Sequence, residues 1–219
     1  MAERKGSADS RTHSTETESL FSSDAAVGTG GEDTVGSAKT LSSTKRRRDA
    51  LEKELIKALK TPEKEAKAVA GLWDLWTHER GEAAHLQLRE ADQLMGTANP
   101  DMLVRAAAMV DEIMREHENW VEPINRMATI LFLQGRYDES VEMCLKVLEL
   151  KPWHFGALSG IVMCYSRLGN AEEMNKWANR ALPPSGTFKK PGSDTVYEPR
   201  KGWVNKMIQE LEMRQRFLM

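Results

Sequence analysis

The histidines and cysteines of this 219-residue chain are few, and their spacing limits the chemistry they can do. The stretch "HERGEAAH" holds His78, Glu79 and His85. Zinc hydrolases place two histidines one helical turn apart, with the glutamate as base, in the order H-E-x-x-H. Here the histidines stand seven apart and Gly81 is expected to end the helix between them, so a surface helix end is the preferred reading. "GTGGED" (28–33) begins like a phosphate-cradling G-x-G-x-x-G loop but has Asp33 at its sixth position, with no strand–helix unit around it. Cys144 and Cys164 form no C-x-x-C pair, which argues against zinc and redox roles. Both sit in apolar helical patterns, as small buried hydrophobes of a reducing compartment do. His117, between Glu116 and Glu118, is placed at a helix end, where it faces the helix dipole. No nucleophile elbow is present. The chain is therefore expected not to be an enzyme, and no catalytic residue, metal or cofactor is assigned. The competing reading is a subunit or regulator of an enzyme complex whose site uses His78, His85 or His154.

A second cluster, "KPWHFGALSG" (151–160), sets Trp153, His154 and Phe155 directly after a proline, where a turn between helices is expected. Rings are unusual in turns, which favour Gly, Asn, Asp and Ser. Joint packing is preferred over ligand binding: Trp153 and Phe155 wedge between the helices they connect, and His154 caps a helix end.

Such side chains need elements to hold them. From about residue 47 onward the apolar residues recur at helical spacing, and no alternating run is long enough to argue for a strand. Successive segments break at Gly, Asn or Pro. Thr61, Pro62, Glu63 and Glu65 read as a helix start. Leu72, Trp73, Leu75 and Trp76 give that helix a heavy apolar face, and "LWDLW" carries enough of it to leave self-association open as a further option. The last helix shows Trp203, Met207, Ile208 and Leu211 on one side.

Composition bounds the organisation. Residues 1–44 hold four basic and seven acidic groups, many Ser, Thr and Gly, and few large apolar side chains, so a disordered tail is expected there. The remaining segments divide into an N-terminal helical extension (45–86), repeats (87–184), a loop (185–199) and a C-terminal capping helix (200–219). The net charge of −2 hides a pattern: residues 61–184 carry thirteen basic and nineteen acidic groups, between basic flanks. An acidic body argues against a nucleic-acid-binding core. "KRRR" (45–48) is read as a solvated lead-in to a helix in preference to a nuclear signal or phosphate tag. No segment approaches the ~20 apolar residues of a membrane span, and no apolar stretch after Met1 suggests a secretory signal.

The helical segments repeat. Gly135 and Gly169 stand 34 residues apart, as do Leu148 and Leu182, and Ala106 stands 34 before Ser140. A 34-residue helix–turn–helix period is the tetratricopeptide signature. "VEPINRMATILFLQGRYDESVEMCLKVLELKP" resembles a near-complete repeat of that family, with Ala128, Gly135, Tyr137, Ser140 and Pro152 at its defining positions. The next unit keeps Gly169 and Ala181 but has Val162 and Met174 at the close-contact positions, which predicts a wider unit or a cap. The unit before keeps Ala106 but has Leu94 and an irregular "GTANPD" turn. An all-α tetratricopeptide-type solenoid of about three units follows.

The wording "WVEPINRMATILFLQGRYDESV", then "KPWHFGALSG", also resembles small tetratricopeptide proteins of bacteria and of plant and algal plastids. That resemblance implies a chloroplast location, with the cytoplasm as the alternative. By the family's pattern the concave groove presents Asn125, Arg126, Thr129, Phe132 and Leu133, then Ser159, Gly160, Met163, Ser166 and Arg167. A chaperone-tail clamp is not favoured, because Thr129, Ser159 and Met163 depart from it. The resemblance implies a non-catalytic scaffold or assembly adaptor that holds a peptide or helix of a protein partner in this groove. Whether the groove is open or filled by the chain's own last helix is left undecided.

Overall fold

In the computed structural model, residues 34–189 and 191–217 are described. The chain divides into two units, Met1–Thr40 and Leu41–Met219, and the architecture below is that of the second. The element order is α1 (Thr34–Ala58), α2 (Pro62–Thr77), α3 (Glu82–Gly96), α4 (Pro100–Glu116), α5 (Val121–Leu133), α6 (Tyr137–Leu150), α7 (Phe155–Arg167) and α8 (Ala171–Ala178). Two short strands, β1 (Phe188–Lys189) and β2 (Val196–Tyr197), precede α9 (Pro199–Phe217).

Neighbouring helices are antiparallel hairpins: α3 packs on α4, α5 on α6 and α7 on α8, and successive hairpins stack through α4–α5 and α6–α7. This is an all-α tetratricopeptide-type solenoid, with α1 and α2 before the repeats and α9 after them. The repeat is visible in the backbone. After α5, the Arg136 N–H donates to Leu131 O and the Gly135 N–H to Phe132 O, with Gly135 at φ +77°. After α7, the Asn170 N–H donates to Tyr165 O and the Gly169 N–H to Ser166 O, with Gly169 at φ +71°. Both ends are Schellman caps, whose left-handed residue is ordinarily glycine. The 34-residue spacing of these glycines is therefore one turn geometry used twice. The corresponding turn after α3 puts Ala98, at φ +52°, into the left-handed region. That is the physical form of the irregular "GTANPD" turn, and Asn99 then caps α4 by accepting from the Asp101 and Met102 N–H groups.

Small residues bring paired helices together, as the repeat pattern requires. Ala106, Ala128 and Ser140 are all buried. The Ser140 hydroxyl donates to Ala128 O across 2.7 Å and accepts from the Cys164 thiol at 3.2 Å, joining α5, α6 and α7. Burial pushes the Cys144 thiol up to about 12, with Cys164 adding to the effect. Neither cysteine is in a disulfide, so both serve as the small hydrophobes their pattern suggested.

Three expectations need correction. The first helix begins at Thr34, inside the stretch expected to lack order; the rest of that expectation, and "GTGGED", lie outside the described residues. The 185–199 loop contains the antiparallel pair β1–β2, with Phe188 opposite Tyr197. The two-residue strands are too short to leave an alternating signal. Helix α8 ends at Ala178, so Ala181 lies beyond it, half-buried against the core. In "LWDLW", Leu72 and Trp76 are buried in the main core, and Trp73 is partly buried against it.

Helix α9 buttresses the far side of the repeats. Trp203, Val204, Met207 and Leu211 are buried. Trp203 Nε1 donates to Arg180 O, Arg214 donates to Glu149 O at the C-terminal end of α6, and Lys53 of α1 pairs with Glu212. Arg200 pairs with Glu65 of α2 at 2.8 Å.

Candidate functional site

The site is built around the joint between the second and third repeats. Pro152 ends one unit, and Trp153, His154 and Phe155 are all buried as the next begins. His154 is the N-cap of α7: its Nδ1 accepts from the Ala157 N–H at 3.1 Å. An accepting Nδ1 places the ring proton on Nε2, which faces Glu122 Oε1 at 2.9 Å. Glu122 is wholly buried in the first turn of α5 and also pairs with Arg126 one turn on. Arg126 in turn reaches Asp92 of α3 at 2.9 Å. Three repeats are thereby connected through one polar chain, Asp92–Arg126–Glu122–His154.

Burial alone pushes the Glu122 carboxyl up, but the His154 hydrogen bond and the Arg126 charge outweigh it and hold its pKa below the ordinary 4.5. A depressed carboxylate contributes stability that is fully present above its unfolded pKa and lost as pH falls through its folded value. Wild-type protein should therefore lose stability more steeply below about pH 4.5 than Glu122→Gln does. Urea unfolding across acid pH measures this, and parallel curves for the two proteins would refute it.

Around this chain stand four rings from three parts of the sequence. Trp76 lies 4.6 Å from His154 and 5.1 Å from Phe155, while Trp73 meets Phe155 edge-on at 5.0 Å. The Trp120 indole donates to Trp76 O at 2.8 Å. Helix α2 thus crosses the N-terminal ends of α5 and α7. Gly156 makes the crossing possible: a Cβ there would lie 2.7 Å from the Trp73 ring. Gly156→Ala should overpack the joint and destabilise the fold by about 1–3 kcal/mol, read as a lower urea midpoint; an unchanged midpoint would show that Trp73 moves freely.

Beyond Trp73, the concave side opens into a cavity of about 150 Å³ between α5 and α7, floored by α6. Asn125, Thr129, Phe132, Ser159, Gly160 and Met163, all placed in the groove by the repeat frame, line it, and Cys144 lies at its base. Among the described residues, none of α9 lines it. Two groove candidates sit otherwise. Arg126 is turned into the Glu122–Asp92 pairs. Arg167 is at the rim, its guanidinium 6.0 Å from the Phe132 ring.

The three candidate histidines lie at two separate places. His78 and His85 stack at 3.7 Å beside the α2–α3 turn, while His154 is enclosed at the joint. Among the described residues no group of three or more His, Cys, Asp or Glu could hold a metal ion, and no described helix is long and apolar enough to cross a membrane.

Sequence reasoning missed both buried carboxylates. Glu122 carried a signal, since it stands one helical turn before Arg126. Glu52 carried none: it accepts from Trp76 Nε1 at 2.6 Å, Trp153 Nε1 at 2.9 Å and Lys151 Nζ at 2.6 Å, partners that reach a hundred residues along the chain.

No family profile and no solved structure matches the chain. A TPR repeat-containing protein of Rhizobium etli is 32% identical over 130 residues, which is 59% of this chain and 61% of that protein. The chain thus spans less than two thirds of the length of the curated relative it matches. Helix pairs, twice-used glycine cap and this similarity agree on a tetratricopeptide-like repeat fold.

Proposed function

We propose that the protein is a non-catalytic scaffold or assembly adaptor that binds a segment of a protein partner in the concave groove between α5 and α7. The observation that carries this reading is the open cavity there, lined by the repeat's groove-facing positions and left clear by α9. Similarity to a TPR repeat-containing protein supports the general kind of function. The rigid floor supports it too, because the polar chain through Glu122 and the ring cluster at the joint hold α5 and α7 in fixed register. A preformed groove limits the ordering cost of binding.

Site-specific photocrosslinking in the native cell tests the reading. A photoreactive phenylalanine at Phe132, in the groove, should form discrete protein adducts, whereas one at exposed Leu145 on α6 should not. Equal adducts from both positions, or none from the groove, would sink the proposal.

A further inference from the structure

We propose that a second cavity, between α1, the α6–α7 joint and α9, binds a free amino acid with a large apolar side chain. Asp49 takes the ammonium of that zwitterion, and Arg214 and Lys45 take its carboxylate. The cavity measures about 420 Å³, within the range of small-molecule sites. None of its lining residues lines the α5–α7 groove, so the site is separate from the proposed partner face.

Three segments far apart in the sequence build it. On α1, Lys45, Asp49 and Glu52 follow each other at four and three residues and share one helix face. Leu211 and Arg214 do the same on α9, and Leu150 and Trp153 supply the joint's side. Leu150, Trp153 and Leu211 form the apolar wall. Trp153 and Leu211 are buried, whereas Leu150 is 38% exposed and left for an apolar side chain to cover.

The charges decide the ligand. Glu52 and Lys151 answer each other at 2.6 Å. Of the neighbouring cations, Arg48 pairs with Glu79 and Lys53 with Glu212. Asp49 is half-buried and in no ion pair among the described residues. Burial pushes its carboxyl above the ordinary 3.8, and Glu52 adds to the rise against the pull of Lys45, Arg48 and Lys151. Arg214 spends its Nη1 on Glu149 O and Leu150 O, and neither it nor Lys45 reaches a carboxylate of the described residues at ion-pair distance. Unpaired charge of both signs therefore faces one cavity. A simple anion would meet Asp49, a simple cation would meet Lys45 and Arg214, and an uncharged ligand would bury both signs unanswered. A zwitterion answers both through charge-assisted hydrogen bonds, while its side chain covers the apolar wall.

Calorimetric titration of the full chain with L-phenylalanine and three relatives tests this. N-acetyl-L-phenylalanine lacks the ammonium, L-phenylalanine amide lacks the carboxylate, and glycine lacks the apolar body. L-phenylalanine should bind about tenfold or more tighter than each relative, the scale of one charged hydrogen bond or one buried side chain. Asp49→Asn should abolish the preference over the N-acetyl compound, and Lys45→Gln should reduce the preference over the amide. Both substitutions fall on side chains outside any ion pair, so thermal unfolding without ligand should stay at the wild-type temperature. Saturating L-phenylalanine should raise that temperature in the wild type, because a ligand of the folded state stabilises it by mass action. No binding of L-phenylalanine, equal binding of any relative, or indifference to either substitution would overturn the proposal. Groove crosslinks at Phe132 would leave the scaffold reading standing under any of these results.

Discussion

Glu52→Ala should lower the unfolding free energy by about 3–5 kcal/mol, the usual cost of removing one partner from a buried ion pair. Glu52 lies on α1, and its carboxylate accepts from the Trp76 and Trp153 indoles and from the Lys151 ammonium. All three donors are enclosed: Trp76 and Trp153 are buried, and the Lys151 side chain is 12% exposed. Alanine would take the shared acceptor from two indole N–H groups and one ammonium. Unsatisfied buried donors each cost their desolvation. Glu52→Gln should cost less, because its amide oxygen can still accept from the indoles while the ion pair with Lys151 is lost. Urea unfolding followed by tryptophan fluorescence separates the three proteins. If alanine and glutamine variants unfolded at the wild-type midpoint, α1 would be an ornament on the repeats and not part of their core.

Phe155→Ala should cost about 3–5 kcal/mol by deleting a buried ring. Phe155 is the first residue of α7, packed edge-on against Trp73 and tilted against Trp76. The truncated site cannot collapse easily, because its walls come from α2 and α7 and each is anchored elsewhere. Trp76 is held by Glu52, and α7 by the His154 cap and its bond to Glu122. Phe155→Leu should recover part of the loss. Thermal and urea unfolding give the size, and a cost below about 1 kcal/mol would mean that the joint relaxes around the cavity. Peptide binding in the groove, measured on folded protein, should survive the leucine variant, because Phe155 does not line the cavity.

Much of the fold could be read from the chain alone, and the reason is local. Helix periodicity, caps and glycine stops depend on residues within one turn of each other. The Gly135 and Gly169 stops and the Pro62 start lie where the structure uses them. Asn125, Thr129, Phe132, Ser159 and Met163, which the family resemblance puts on one side, line one cavity. Arg126 shows where that inference stops. Its position pointed to the groove, but its charge is drawn to Asp92 and Glu122.

The ring cluster of "KPWHFGALSG" marks the same division. Its types and its place after Pro152 were enough to identify a joint between stacked units, and His154 as a helix cap. Only the folded chain decided what the joint holds: Trp73 and Trp76 from α2, the carboxylate of Glu122 behind His154, and that of Glu52 beneath Trp153. The physical reason is range. Sequence alone specified the helices, their breaks and their period, because those follow from backbone geometry over a few residues. Which buried charges meet, which arginine stays at the rim and whether the groove stays open depend on how helices from distant segments stack. Those were settled by packing and desolvation in the tertiary structure.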